Sequence, residues 1–102
     1  LGVKVVELHT GAYASGFCMQ LNLEAELNKI KEAVQIASDF NINCHAGHGL
    51  NFENVSLIAS IPNIKELNIG HFLISDAIFN GLENSIFKMK KIIKESTIWY
   101  LE

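Results

Sequence analysis

Apolar residues recur along the chain in two alternating rhythms, and the alternation predicts an order of elements. Val3-Lys4-Val5-Val6-Glu7-Leu8 is short and β-branched, which predicts a strand near 3–8, and the Gly/Ala/Ser-rich stretch from Thr10 to Gly16 then reads as a loop. Leu23, Leu27, Ile30, Val34 and Ala37 follow at steps of four, three, four and three, one face of a helix over 22–38. Asn22 is placed to cap it, and Glu24 and Glu26 suit the positive end of its dipole. A second strand near 42–46 runs into Gly47-His48-Gly49, after which Asn51 can cap a helix near 52–60 that must stop before Pro62. A third strand near 66–69 leads into Gly70-His71. Ile78, Leu82, Ile86, Met89 and Ile93 then mark one long helix over 73–95. Gly81 inside that stripe costs about 1 kcal/mol relative to alanine and reads as a close approach to a neighbour. Lys88, Lys90, Lys91 and Lys94 sit in the final turns, where a solvated basic face also offsets the helix dipole.

Strand followed by helix, three times over, implies parallel strands and an α/β fold. Three such units leave two bare edges on a parallel sheet, and parallel sheets are normally covered on both faces. The expectation is therefore a segment of something larger. A (β/α)₈ barrel, with its typical length of about 250 residues, leaves room for five further units upstream of Leu1. Composition narrows the chemistry. The 102 residues are 49% apolar and 19% charged, as expected of a single soluble domain spanning 1–102. All eight basic residues are lysines, and the formal charge is −3. With no arginine fork and no electropositive surface, nucleic acid and anionic membranes are poor partners. A bound phosphate would have to rely on backbone N–H groups, helix N-termini, lysine or histidine. Cys18 and Cys44 show no paired metal-type spacing, no apolar run approaches the length of a membrane span, and no signal sequence opens the chain. A cytoplasmic protein with free, structural thiols is expected.

Ligands of α/β proteins sit beyond the carboxyl ends of the strands. All four histidines fall near those expected ends: His9 after Glu7, His45 and His48 around the second strand, and His71 after the third. Glu7 shares a strand face with Val3, Val5 and His9. Its carboxylate is costly to bury unpaired, so it is either part of a structural ion pair or tuned for catalysis. His9 and His45 are equally well explained by capping or hydrogen bonding. His48 lies between glycines that allow a sharp turn and a close approach to a ligand, and its imidazole can exchange a proton near neutral pH. Gly70-His71 opens a helix, whose N-terminal N–H groups form an anion site.

The segments VVELHTGAYA, HAGHGLNFENV, IASIPNIKELNIGH and AIFNGLENSIFKMK, with the 23-residue step from His48 to His71, resemble the C-terminal part of the pyridoxine 5′-phosphate synthase family of vitamin B6 biosynthesis. The resemblance implies a (β/α)₈ barrel of which this chain supplies the last three units. It also implies condensation of 1-deoxy-D-xylulose 5-phosphate with 3-amino-2-oxopropyl phosphate, giving pyridoxine 5′-phosphate, inorganic phosphate and water. No metal or redox cofactor is implied. By the same resemblance His48 takes the place of the proton donor and Glu7 that of the carboxylate stabilising the transition state, while Gly49, Gly70 and His71 bind 3-amino-2-oxopropyl phosphate. The family's other catalytic and substrate-binding residues belong to an N-terminal half that this sequence lacks. The fragment alone is therefore expected to be inactive, and the complete protein to be a homo-octamer. His45 maps to no family role and is read as structural.

Two other readings remain. His45 and His48, three apart and near Glu7, His9 and His71, suit a metal-dependent hydrolase, although His-x-x-His on a glycine-rich loop is a weak signal. A free-standing phosphate-binding module is the other, since about 100 residues can make a domain.

Overall fold

Three short runs of alternating side chains pair into one parallel sheet, because each is followed by a helical segment long enough to return the chain to the same edge. The computed structural model describes residues 2–97; residue 1 and residues 98–102 of the expected domain lie outside them. Its elements are β1 (Val5–His9), α1 (Gly11–Met19), α2 (Leu23–Asp39), β2 (Asn43–Gly47), α3 (Val55–Ala59), β3 (Ile64–Asn68), α4 (Gly70–Asn80) and α5 (Leu82–Ser96). The strands lie in the order β1-β2-β3, both pairings parallel. Glu7 stands beside His45, which stands beside Glu66; two residues on, His9, Gly47 and Asn68 form the next row on the same face. An irregularity between Cys44 and His45 shifts the register against β3.

The two faces of the sheet differ sharply. Val6, Leu8, Cys44, Ala46 and Leu67 join the apolar core, with Ile30 and Val34 of α2, Val55 and Ile58 of α3, and Met89 of α5. Burial in that core raises the pKa of the Cys44 thiol, whereas Cys18 lies exposed on α1; the two are free thiols. Val5, Glu7, His9, Glu66 and Asn68 are exposed on the other face. Sequential parallel strands with helices packed on one side are consistent with part of a barrel, whose helices form an outer ring around the sheet.

The helices differ from the sequence pattern in three places. Thr10–Gly16 contributes to a helix, α1, rather than a loop: its small residues form close contacts, and Tyr13 is buried in the core. The segment expected as one helix over 73–95 is two. Gly81, at φ +82° and ψ 143°, has no heavy atom near a would-be Cβ, so it marks a break and not a close approach. The junction is pinned by Ser85 Oγ, which donates to Asp76 Oδ2 at 2.5 Å. The break turns the first part of the expected stripe outward, leaving Ile78 77% and Leu82 51% exposed while Met89 is buried. The helix expected over 52–60 is shortened to α3, because Asn51 caps the turn before it: Asn51 Oδ1 accepts N–H groups of Glu53 and Asn54 at 2.8 and 2.9 Å. Asn22 occupies the N-cap position of α2 in a left-handed conformation, without a side-chain cap bond.

Candidate active site

Beyond the carboxyl ends of β2 and β3 lies an open cavity of about 360 Å³, lined among others by His48, Gly49, Asn68, Gly70, His71 and Ser75. Four of the five residues singled out in the sequence thus meet in one place. The fifth, Glu7, reaches it indirectly: its carboxylate accepts a short hydrogen bond from Asn68 Nδ2, and Asn68 lines the cavity. Asn68 itself carried no sequence signal. Its position opposite Gly47 in the register places it there.

One wall is the start of α4. Ile69 stands at its N-cap with no side-chain cap bond, so the N–H groups of the first turn are not satisfied by a capping side chain. Gly70 and His71 open that turn beside the cavity. The wall is braced from behind, where the Phe72 ring meets Phe52 edge to face at 4.7 Å and Lys88 Nζ lies 4.5 Å from the Phe52 centroid. Lys88 therefore does more than solvate the last helix; its charge rests on an aromatic face.

The opposite wall is the turn Gly47-His48-Gly49. His48 has φ +94°, a region non-glycine residues seldom occupy, at a cost of about 1–3 kcal/mol. Fully buried Thr10 holds it: its Oγ1 donates to the His48 carbonyl at 2.7 Å and its N–H to the Gly47 carbonyl at 2.8 Å. Gly49 continues the turn at φ +78°, and a Cβ there would come within 2.7 Å of Ala14 Cβ. Glycine at this position has a packing reason independent of any ligand. Asn54, buried beneath the turn, accepts the Asn51 N–H at 2.8 Å and donates to the Gly49 carbonyl at 3.0 Å. Its own carbonyl accepts the Tyr13 hydroxyl at 2.5 Å, and burial pushes the Tyr13 phenol up to about 12. Neither Thr10 nor Asn54 was distinguishable in the sequence from ordinary loop residues, since the bonds that define them span 38 residues in the first case and reach across to α1 in the second.

His9 and His45 part company. His9 ends β1 with its ring stacked on His48. His45 lies in the middle of β2, not at its end; its Nε2 is 3.5 Å from Glu66 Oε2, an ion pair when the imidazole is protonated. Among the described residues no three histidine, cysteine or carboxylate side chains are grouped to hold a metal ion. No helix there is long and apolar enough to cross a membrane.

A parallel α/β unit with an open cavity at the carboxyl ends of its strands, one wall a helix N-terminus and the other a strained histidine turn, belongs to the class of α/β proteins whose cavity is built at the strand ends. Residues 1–95 match the family described as "Pyridoxal phosphate biosynthesis protein PdxJ". The chain belongs to that family. It is 52% identical over 93 residues to a protein of Zymomonas mobilis named pyridoxine 5′-phosphate synthase, covering 91% of this chain and 36% of that protein. Proteins of the same name from Ehrlichia ruminantium and a Sulfurihydrogenibium species are 47% and 46% identical, each over 91% of this chain and 37% of their own length. The chain thus spans a little over a third of the curated relatives it matches.

Proposed function

We propose that this chain is the C-terminal part of a closed (β/α)₈ barrel that synthesises pyridoxine 5′-phosphate from 1-deoxy-D-xylulose 5-phosphate and 3-amino-2-oxopropyl phosphate, with release of inorganic phosphate and water. The observation that carries the reading is the cavity joining His48 and Gly49 to the start of α4 at Gly70-His71. In a chain without arginine, the uncapped N–H groups of that first turn and the His71 imidazole are suited to a phosphate monoester. The phosphate of 3-amino-2-oxopropyl phosphate binds there, with Gly49 closing the other side. His48, across the cavity, delivers a proton to an oxygen that leaves during dehydration or phosphate loss. Glu7, oriented by Asn68, stabilises the cationic, imine-like character that develops as the ring closes.

The open sheet face, and the outer edges of β1 and β3, unpaired among the described residues, support a barrel completed by an N-terminal half, which brings the remaining catalytic groups. The exposed Ile78, Phe79 and Phe87 supply apolar surface for contacts within a homo-octamer in the cytoplasm. The test is turnover by the complete protein. Incubated with both phosphorylated substrates, it forms pyridoxine 5′-phosphate, followed by chromatographic retention and fluorescence, and His48→Asn abolishes product formation. A folded complete protein that forms no product overturns the function, and a His48→Asn variant with unchanged turnover removes His48 from the acid role.

A further inference from the structure

The stacked rings of His9 and His48 have centroids 4.3 Å apart and planes 25° from parallel. Three features around them act together. Gly11 N–H donates to His9 Nδ1 at 3.2 Å, so Nδ1 is the acceptor nitrogen and the ring proton of this tautomer sits on Nε2. A Cβ on Gly11 would lie 2.6 Å from His9 Cε1 and 3.1 Å from His48 Cδ2, so both rings occupy space that only glycine leaves free. Thr10, between them in sequence, anchors the backbone of the Gly47-His48 turn through its hydroxyl and its N–H. The tripeptide His9-Thr10-Gly11 therefore holds His48 at its ring face and its carbonyl, and leaves at Gly11 the space its ring edge needs.

We propose that His9 is a positioning residue for the reaction: its ring is a flat support that fixes the plane of the His48 imidazole and hence the direction in which His48 presents its proton. The inference rests on the reading of His48 as proton donor. His9 needs no contact with substrate. The Gly11 N–H, donating to Nδ1, orients the His9 ring, and that ring in turn restricts rotation of His48 about its side-chain torsions. A misdirected imidazole still leaves the phosphate pocket of Gly70-His71 intact, so the loss falls on the chemical step and not on binding.

Two substitutions in the complete protein separate the parts. His9→Asn keeps an acceptor close to the position of Nδ1 but removes the ring; His9→Phe keeps a ring and removes the acceptor. The expected result is a kcat about tenfold or more below wild type for His9→Asn, with KM for both substrates within about twofold, and a kcat within about threefold of wild type for His9→Phe. A structural readout accompanies the kinetics. The carbon-bound ring protons of His48 resonate upfield beneath a neighbouring ring in wild type and His9→Phe, and move toward free-imidazole positions in His9→Asn. An active wild type whose His9→Asn variant keeps its kcat, or whose His48 signals do not move, overturns the positioning role. Equal loss in both variants also overturns it, because the nitrogen and not the stack would then matter. A silent wild type overturns the proposed function instead.

Discussion

Asn54→Asp is the most informative single-atom change in the turn that carries His48. The replacement has nearly the same shape, and one carboxylate oxygen can still accept the Asn51 N–H that Asn54 Oδ1 accepts at 2.8 Å. The other oxygen then faces the Gly49 carbonyl, where Nδ2 donated at 3.0 Å. A bond worth about 1 kcal/mol is lost, and two acceptors confront each other at a side chain that is 1% exposed, adding about 1–3 kcal/mol. The expected cost at pH 7 is about 2–4 kcal/mol, read as a lower urea midpoint at unchanged slope. The sign of its pH dependence is fixed. Protonation restores a donor toward Gly49, so the introduced carboxyl has a folded-state pKa above its unfolded value of about 3.9. Relative to wild type, the deficit is smallest below that unfolded value and grows to its full size as pH rises through the higher folded one. A variant within about 0.5 kcal/mol of wild type at pH 7, or a deficit that does not shrink on acidification, would refute the assignment of Asn54 as the anchor of this turn.

Two further predictions address the other wall and the core. Gly70 has no heavy atom within 4 Å of a would-be Cβ, so Gly70→Ala leaves stability within about 0.5 kcal/mol while raising KM for 3-amino-2-oxopropyl phosphate; an unaltered KM places Gly70 outside the phosphate site. Tyr13, with its phenol pushed up to about 12 by burial, resists ionisation in the folded state, so its effect on stability is nil below the unfolded pKa of about 10 and stability falls as pH rises from there toward 12. Alkaline titration of stability should therefore fall less steeply over this range in Tyr13→Phe than in wild type, and equal slopes would count against the buried neutral phenol.

What was legible in the sequence was whatever repeats locally. β-Branched residues marked the first strand, and the 3.6-residue stripe of α2 lies where its spacing put it, with Ile30, Val34 and Ala37 buried. α1 escaped because its Gly/Ala/Ser composition imitates a loop; nothing in GAYASGFCM separates an apolar face from a polar one, so only packing through Tyr13 makes it a helix. The α4–α5 break was hidden for the opposite reason. Ile78 and Leu82 keep the period of Ile86, Met89 and Ile93 across Gly81, although the chain changes direction there. Periodicity counts residues and does not sense a ψ of 143°.

The site shows the same division with more consequence. His48, Gly49, Gly70 and His71 were legible because glycines beside histidines at strand ends are locally unusual, and they do line one cavity. The residues that hold them in place were not, since Thr10, Asn54 and Asn68 act through bonds to distant segments: Thr10 to the carbonyl of His48, Asn54 between Gly49 and Tyr13, and Asn68 to Glu7 across 61 residues. The strain at His48 explains why so much support converges there. A histidine at φ +94° would relax if left to itself, and relaxation would swing the imidazole away from the cavity. Thr10 opposes that motion through the carbonyls on either side of the strained Cα, Asn54 through the next carbonyl at Gly49, and the stacked His9 at the ring. Loss of the His9 ring, which is exposed and holds no buried backbone group, should therefore cost less in stability than in rate, because the direction of the His48 ring cannot change without consequence for proton delivery.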